Sequence, residues 1–154
     1  MMLSLRGADA RFFDACEQVL GARPPTRPNT VARTAGGVIF WLGPDEWLYD
    51  GDKMVTVTDL RALLAGVHSA VVDVSASRKT IIVAGERAVT MMAKAATVDF
   101  SVHGFPVGNC AQTNIARTQG LIHRRAAQEF VVYVRPSFER YLRAWLEDAQ
   151  KDSH

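Results

Sequence analysis

The sequence predicts an α+β protein with a mainly antiparallel sheet and flanking helices, and two observations carry that prediction. Four separated stretches show the apolar periodicity of amphipathic helices, and between them lie short Val/Ile-rich segments joined by turns that contain Gly, Pro or Asp. Helices interspersed with hairpins, rather than strict strand–helix alternation, argue against a doubly wound parallel sheet. The central part of the order is compatible with a ferredoxin-like plait. At 154 residues, 48% apolar and 22% charged, the chain has the size and composition of one domain, spanning 1–154, with a sizeable core.

The stretch Trp41 to Asp50, WLGPDEWLYD, anchors the reading. Val38 to Leu42 is an unbroken β-prone run. Gly43-Pro44-Asp45-Glu46 reads as a turn, because Pro44 pre-sets φ and Asp45 can hydrogen-bond the local backbone. Trp47-Leu48-Tyr49 resumes the strand and Asp50-Gly51-Asp52 ends it. Two of the three tryptophans fall in this hairpin, and side chains of that size fix a local core.

Before the hairpin, Asp9 to Leu20 predicts a first helix, with Phe12, Cys16, Val19 and Leu20 on one face and Gly21 to end it. Residues 21–29 contain three prolines and predict an irregular segment too short to separate two domains. Thr30 to Thr34 is a short strand, and Gly36-Gly37 offers the positive φ values of a hairpin turn. After the hairpin, Thr56 to Gly66 predicts a second helix, capped by Thr56 or Thr58, with a stripe of Leu60, Leu63, Leu64 and Val67.

Ala70 to Val74 and Thr80 to Val83 read as two strands joined by Ser75-Ala76-Ser77-Arg78. Glu86 to Ala96 predicts a third helix with Val89, Met92, Ala93 and Ala96 on one side. Val98 to Gly108 is irregular, and Cys110 to Arg117, Leu121 to Arg124 and Phe130 to Arg135 are three closing strands. Pro136 opens the last helix, where its missing N–H costs nothing. Phe138, Tyr141, Leu142, Trp145, Leu146 and Ala149 form its apolar stripe, opposite Arg140, Arg143, Glu147 and Asp148. The tail after Lys151 is expected to fray.

Composition excludes several functions. A net charge of +2 is too small to argue for nucleic acid or an anionic membrane as partner. No apolar run reaches membrane-spanning length, and the start of the chain lacks the features of a signal peptide. Cys16 and Cys110, the only cysteines, read as reduced thiols of a cytoplasmic protein.

A search for chemistry finds no catalytic, cofactor-binding or metal-ligating set. His68, His103 and His123 stand apart, without CxxC, HxxxH or HxH spacing. Cys110 opens a strand as a small buried hydrophobe rather than a reactive thiol, and no GxSxG elbow occurs. Gly36-Gly37 precedes a strand, so it fails as a phosphate cradle. Asp73 lies near Ser75, Ser77 and Arg78, where an Asp73–Arg78 pair across a turn is the structural account and ligand contact the functional one. Asp45 and Glu46 are neighbours in a turn and point apart, which does not suit paired acid–base work.

Four stretches together resemble the gamma subunit of heterotetrameric sarcosine oxidase: Leu42 to Leu48 (LGPDEWL), Val72 to Arg78 (VDVSASR), Phe105 to Thr113 (FPVGNCAQT) and Tyr133 to Leu146 (YVRPSFERYLRAWL). The first is shared with the wider aminomethyltransferase-like, folate-binding superfamily; the third and fourth, in this order and spacing, are more specific. The resemblance covers residues 36–149. It implies a noncatalytic subunit with a folate-binding aminomethyltransferase-like fold, in a complex with alpha, beta and delta subunits. Those larger subunits carry FAD, FMN, NAD and the tetrahydrofolate site, oxidise the N-methyl group of sarcosine, and pass the one-carbon unit to folate, yielding glycine. The resemblance also leaves room for a gamma-like subunit of a related N-methyl amino acid dehydrogenase, such as N-methylglutamate dehydrogenase. A free-standing folate-binding, one-carbon-transfer protein is the alternative from a different class. Apolar residues left over on the Val38 to Leu42 strand and in the loop from Phe100 to Val107 predict a partner interface that includes Trp41, Trp47, Phe100 and Phe105.

Overall fold

The computed structural model describes residues 1–52 and 57–151, and the chain divides after Ser75 into two compact units. Both are α+β and both are antiparallel.

The first unit begins with a strand that the sequence reading passes over, β1 (Met2–Gly7). Its Leu3 and Leu5 alternate with polar neighbours and are fully buried, which is the period of a strand with one face in a core. Helix α1 (Ala10–Leu20) follows. Asp9 caps it by accepting the Arg11 N–H at 2.8 Å, and Gly21 closes it in the left-handed region (φ 95°) with its N–H on the Glu17 carbonyl. Strands β2 (Val31–Arg33), β3 (Gly37–Gly43) and β4 (Glu46–Gly51) come next, then α2 (Val57–Leu63) and β5 (Ser69–Asp73).

The sheet order is β2-β3-β4-β1-β5. With β2 set aside, the elements run strand–helix–strand–strand–helix–strand in the spatial order β3-β4-β1-β5, a ferredoxin-like plait. It occupies the N-terminal half of the chain rather than the centre, because β1 supplies its first strand. Residue Thr56, a possible cap for α2, lies outside the described residues, as does the tail from 152 onward. Of the predicted α2 stripe, Leu60 and Leu64 are buried, Val67 is partly so, and Leu63 is exposed.

Gly36-Gly37 does sit at a chain reversal, with Thr34 N–H bonded to the Gly37 carbonyl at 2.8 Å. The reason for glycine differs from the expected one. Neither residue has positive φ; instead a Cβ on Gly37 would strike the Asp50 backbone, and one on Gly36 the Asp52 carboxylate.

The second unit contains β6 (Lys79–Ala84), α3 (Ala88–Ala95), β7 (Cys110–Ile115), β8 (Thr118–Ala126), β9 (Glu129–Val134) and α4 (Pro136–Lys151), with sheet order β6-β9-β8-β7. The two strands that flank Ser75-Ala76-Ser77-Arg78 therefore do not pair with each other. β5 pairs with β1 and β6 with β9, so the turn marks the boundary between two sheets. The core of this unit joins Ile81, Val83, Ile122, Phe130, Val132 and Val134 from the sheet to Met92, Leu142 and Leu146 from the helices. The buried face of α3 is turned by one residue from the expected one, to Ala88, Met91, Met92 and Ala95. On α4 the buried seam is Leu142, Leu146 and Ala149, with Trp145 packed against the core; Phe138 and Tyr141, at the edge of the stripe, stay largely exposed.

Candidate interaction site

Each unit contains an irregular segment to whose carbonyls a buried side chain donates. In the first, Trp47 is fully buried on β4, opposite Trp41 on β3. Its ring meets Phe12 and Phe13 at centroid distances of 5.6 and 5.3 Å, the Phe13 contact edge-on. The indole N–H reaches out of this cluster to donate to the Pro25 carbonyl at 2.7 Å. That bond fixes the proline-rich segment over α1. Arg23 completes the wall, 5.6 Å from the Phe13 ring and bonded to Asp14 and Glu17. Phe13, Arg23, Pro24 and Pro25 line an open groove of about 530 Å³.

In the second unit the segment between α3 and β7 is gathered by Arg124. This arginine is 3% exposed, near the C-terminal end of β8. Its Nη1 donates to the carbonyls of Phe100 (2.9 Å) and Phe105 (2.8 Å), and its Nε and Nη2 donate to that of Ala127 (3.3 and 2.8 Å). Its guanidinium lies 5.3 Å from the Phe130 ring centroid. The Arg124 main chain takes part as well: its carbonyl accepts from Gly108 and its N–H donates to Asn109. A buried cation is costly unless hydrogen-bonded, and here the irregular backbone supplies the acceptors.

This arrangement decides which of the residues expected at an interface have surface to offer. Phe100 and Phe105 point inward and join Phe130 in an aromatic cluster with centroid separations of 5.5–6.4 Å. Trp47 is a core residue of its own unit. Trp41 is half-buried. The consecutive apolar run on β3 leaves no wet face at its centre, since Ile39 and Phe40 are both fully buried. The exposed apolar side chains of the Phe100 to Val107 loop are instead Val102 (60% exposed) and Val107 (47%). Arg124 was missed in the sequence because charge suggests solvent. Its parity is the available signal: two residues from Ile122, it shares that residue's core-facing side.

Cys16 and Cys110 are buried and not joined in a disulfide, and desolvation pushes the Cys16 thiol up to about 12, where it is a poor nucleophile at neutral pH. Asp73 accepts from the Ser75 hydroxyl and main-chain N–H, which holds its carboxyl below the usual range. His68 and His103 are exposed, and His123 is buried on β8 in register with Cys110 and Val131. Among the described residues, no three His, Cys, Asp or Glu side chains converge as a metal site would require, and no helix is long and apolar enough to cross a membrane.

Comparison with known proteins matches this architecture as a whole. The chain is 30% identical over 142 residues to the sarcosine oxidase subunit gamma of an Arthrobacter species, covering 90% of this chain and 69% of that protein. It is 28% identical over 144 residues to the sarcosine oxidase subunit gamma of Corynebacterium sp. strain P-1, covering 91% and 70%. In structure it superimposes on a chain of the heterotetrameric sarcosine oxidase from Corynebacterium sp. U-96, solved in complex with pyrrole 2-carboxylate, with a TM-score of 0.90 and 26% identity over 98% of this chain and 79% of that one. The family model for sarcosine oxidase, gamma subunit, matches residues 6–152, and the chain belongs to that family.

Proposed function

We propose that this chain is the gamma subunit of a heterotetrameric sarcosine oxidase-type complex, in which it acts as a noncatalytic assembly subunit. The observation that carries this reading is the fit of 98% of the chain onto a chain of a heterotetrameric sarcosine oxidase. On this reading the alpha, beta and delta subunits hold FAD, FMN, NAD and tetrahydrofolate, and they carry out the oxidative demethylation of sarcosine to glycine. This chain contributes shape and contact surface rather than reacting groups.

The contact residues we propose are Trp41 in the first unit and the Phe100 to Val107 loop in the second, with the roles divided by burial. Phe100, Phe105 and Trp47 hold the frame from inside, and Trp41, Val102 and Val107 meet the partner. Apolar side chains held outward on a clamped loop are what a docking surface requires, since little conformational entropy is lost when the partner arrives. A permanent interface of this kind buries more than about 2,000 Å² in total.

Co-expression with the three other subunits, followed by affinity capture on the gamma chain, tests both parts. Recovery of a flavin-containing complex that oxidises sarcosine supports the assignment; failure of the subunits to co-purify with the wild-type chain defeats it. Trp41→Asp and the double variant Val102→Asp/Val107→Asp are expected to lose co-purification while keeping a wild-type circular dichroism spectrum. Full recovery with both would move the interface elsewhere.

A further inference from the structure

Among the described residues, the first unit's sheet ends in two edge strands, β2 and β5, and they differ. β2 presents only three residues, too few to template an incoming strand. β5 presents five, Ser69-Ala70-Val71-Val72-Asp73, with an uncharged β-prone centre and Val72 49% exposed. An uncharged, β-branched edge of this kind invites strand addition.

The register shows which backbone groups are open. Val74 N–H donates to the Met2 carbonyl, and Ser4 lies opposite Val72. The even-numbered residues of β5 therefore spend their backbone groups on β1, and Ser69, Val71 and Asp73 turn theirs to the open side. The central one of these, the Val71 carbonyl, is taken by Arg61 of α2, whose Nε and Nη2 both donate to it, at 3.1 and 2.7 Å. At one end the Ser69 hydroxyl is bonded to Val67, and at the other the ionised Asp73 carboxyl is bonded to Ser75. Beside the edge runs a groove of about 330 Å³ bounded by Arg61, Leu64, Val67 and Val72.

We infer that Arg61 guards the open edge of β5: its two-pronged bond to the Val71 carbonyl blocks the position where the backbone of a second strand would pair. A strand added there would have to displace a guanidinium from its acceptor and lie against its charge. A simple tether of α2 to β5 would need only one neutral bond. The fork closes the central acceptor and also places a cation on the edge.

The test uses the full-length chain, with light scattering after gel filtration at matched concentration and hydrogen exchange read at the outward-facing amides of Val71 and Asp73. Arg61→Ala is expected to shift to higher mass than wild type and to gain protection at those two amides. Adding Val72→Lys, a charge at an exposed position of the same strand, is expected to restore the wild-type mass. Arg61→Gln keeps a neutral donor but no charge; it is expected to shift the same way as Arg61→Ala by a smaller amount, and to exceed the wild-type mass on its own if alanine proves too disruptive to fold. An Arg61→Ala protein of wild-type mass with β5 intact would overturn the inference. So would association without new protection at Val71 and Asp73, or association that Val72→Lys does not reverse, since either would mean that Arg61 only tethers α2.

Discussion

The two units face one physical problem and solve it with different donors. Each contains a stretch without regular structure, rich in proline in the first unit and in glycine and aromatic residues in the second. The backbone carbonyls of such a stretch need partners. In the first unit a neutral indole supplies one bond, Trp47 to Pro25. In the second a cation supplies two, from Arg124 to the carbonyls of Phe100 and Phe105, and two more to the Ala127 carbonyl in the β8–β9 turn. The difference follows from what surrounds each donor. Trp47 sits among Phe12 and Phe13, where a ring fills the volume and only its edge needs a partner. Arg124 faces three carbonyls and one aromatic face, and only a planar, multiply donating group can serve them all.

Removing the cation is therefore expected to have the largest effect. Arg124→Met keeps much of the length and apolar stem but strands carbonyls from two parts of the chain, at a cost of about 3–5 kcal/mol. Denaturant unfolding gives the cost, and hydrogen exchange at Phe105 and Gly108 should show the loop opening first. A loss below about 1 kcal/mol would mean that water replaces the guanidinium without penalty, and the contrast between the units would collapse.

Trp47→Phe sharpens the comparison from the other side. It keeps an aromatic ring in the cluster but removes the donor to Pro25, and should cost about 2 kcal/mol in the same measurement. Proteolysis of residues 21–29 should accelerate while the second unit's exchange pattern stays unchanged. An effect as large as that of Arg124→Met would show that ring volume, rather than donor number, sets the scale.

The smallest expected effect is on acid stability. In the first unit, the Arg11 side chain and N–H hold the Asp9 carboxyl below its ordinary value; in the second, the Arg125 guanidinium does the same for Glu129, with bonds of 2.7 and 2.8 Å. A carboxylate with a lowered folded-state pKa binds fewer protons folded than unfolded, so its contribution is complete above the ordinary carboxylate range and is lost as pH falls through the lowered value. Stability should therefore decline on acidification, slightly, because these groups lie at the surface. Glu129→Gln should flatten part of that decline, and added salt should weaken the Arg125–Glu129 part. A Glu129→Gln profile identical to wild type, measured by thermal melts across pH, would remove this pair from the account.

Several elements were legible because their signals are local. The four helices, the Trp41 to Asp50 hairpin and the Pro136 start follow from periodicity, turn chemistry and proline geometry, each contained within a few residues. The motif stretches pointed to the gamma subunit family for a related reason, since a run such as FPVGNCAQT is read without knowing where it folds. β1 was legible too, by the alternation of Leu3 and Leu5, but that pattern has only two apolar members on its buried face.

What only the tertiary structure decided is pairing and direction. Nothing between Ala70 and Val83 says that two adjacent strands belong to different sheets, because strand partners are chosen by β1 and β9, far away in sequence. Likewise Phe100 and Phe105 were expected to face a partner and instead face Phe130, while Val102 and Val107 face out. In a loop without periodicity, orientation is set by which long-range donor gathers its carbonyls, and that donor, Arg124, lies 19 and 24 residues further along the chain. Sequence specified the composition of each surface; the direction each side chain takes was decided by hydrogen bonds between residues that the sequence keeps apart.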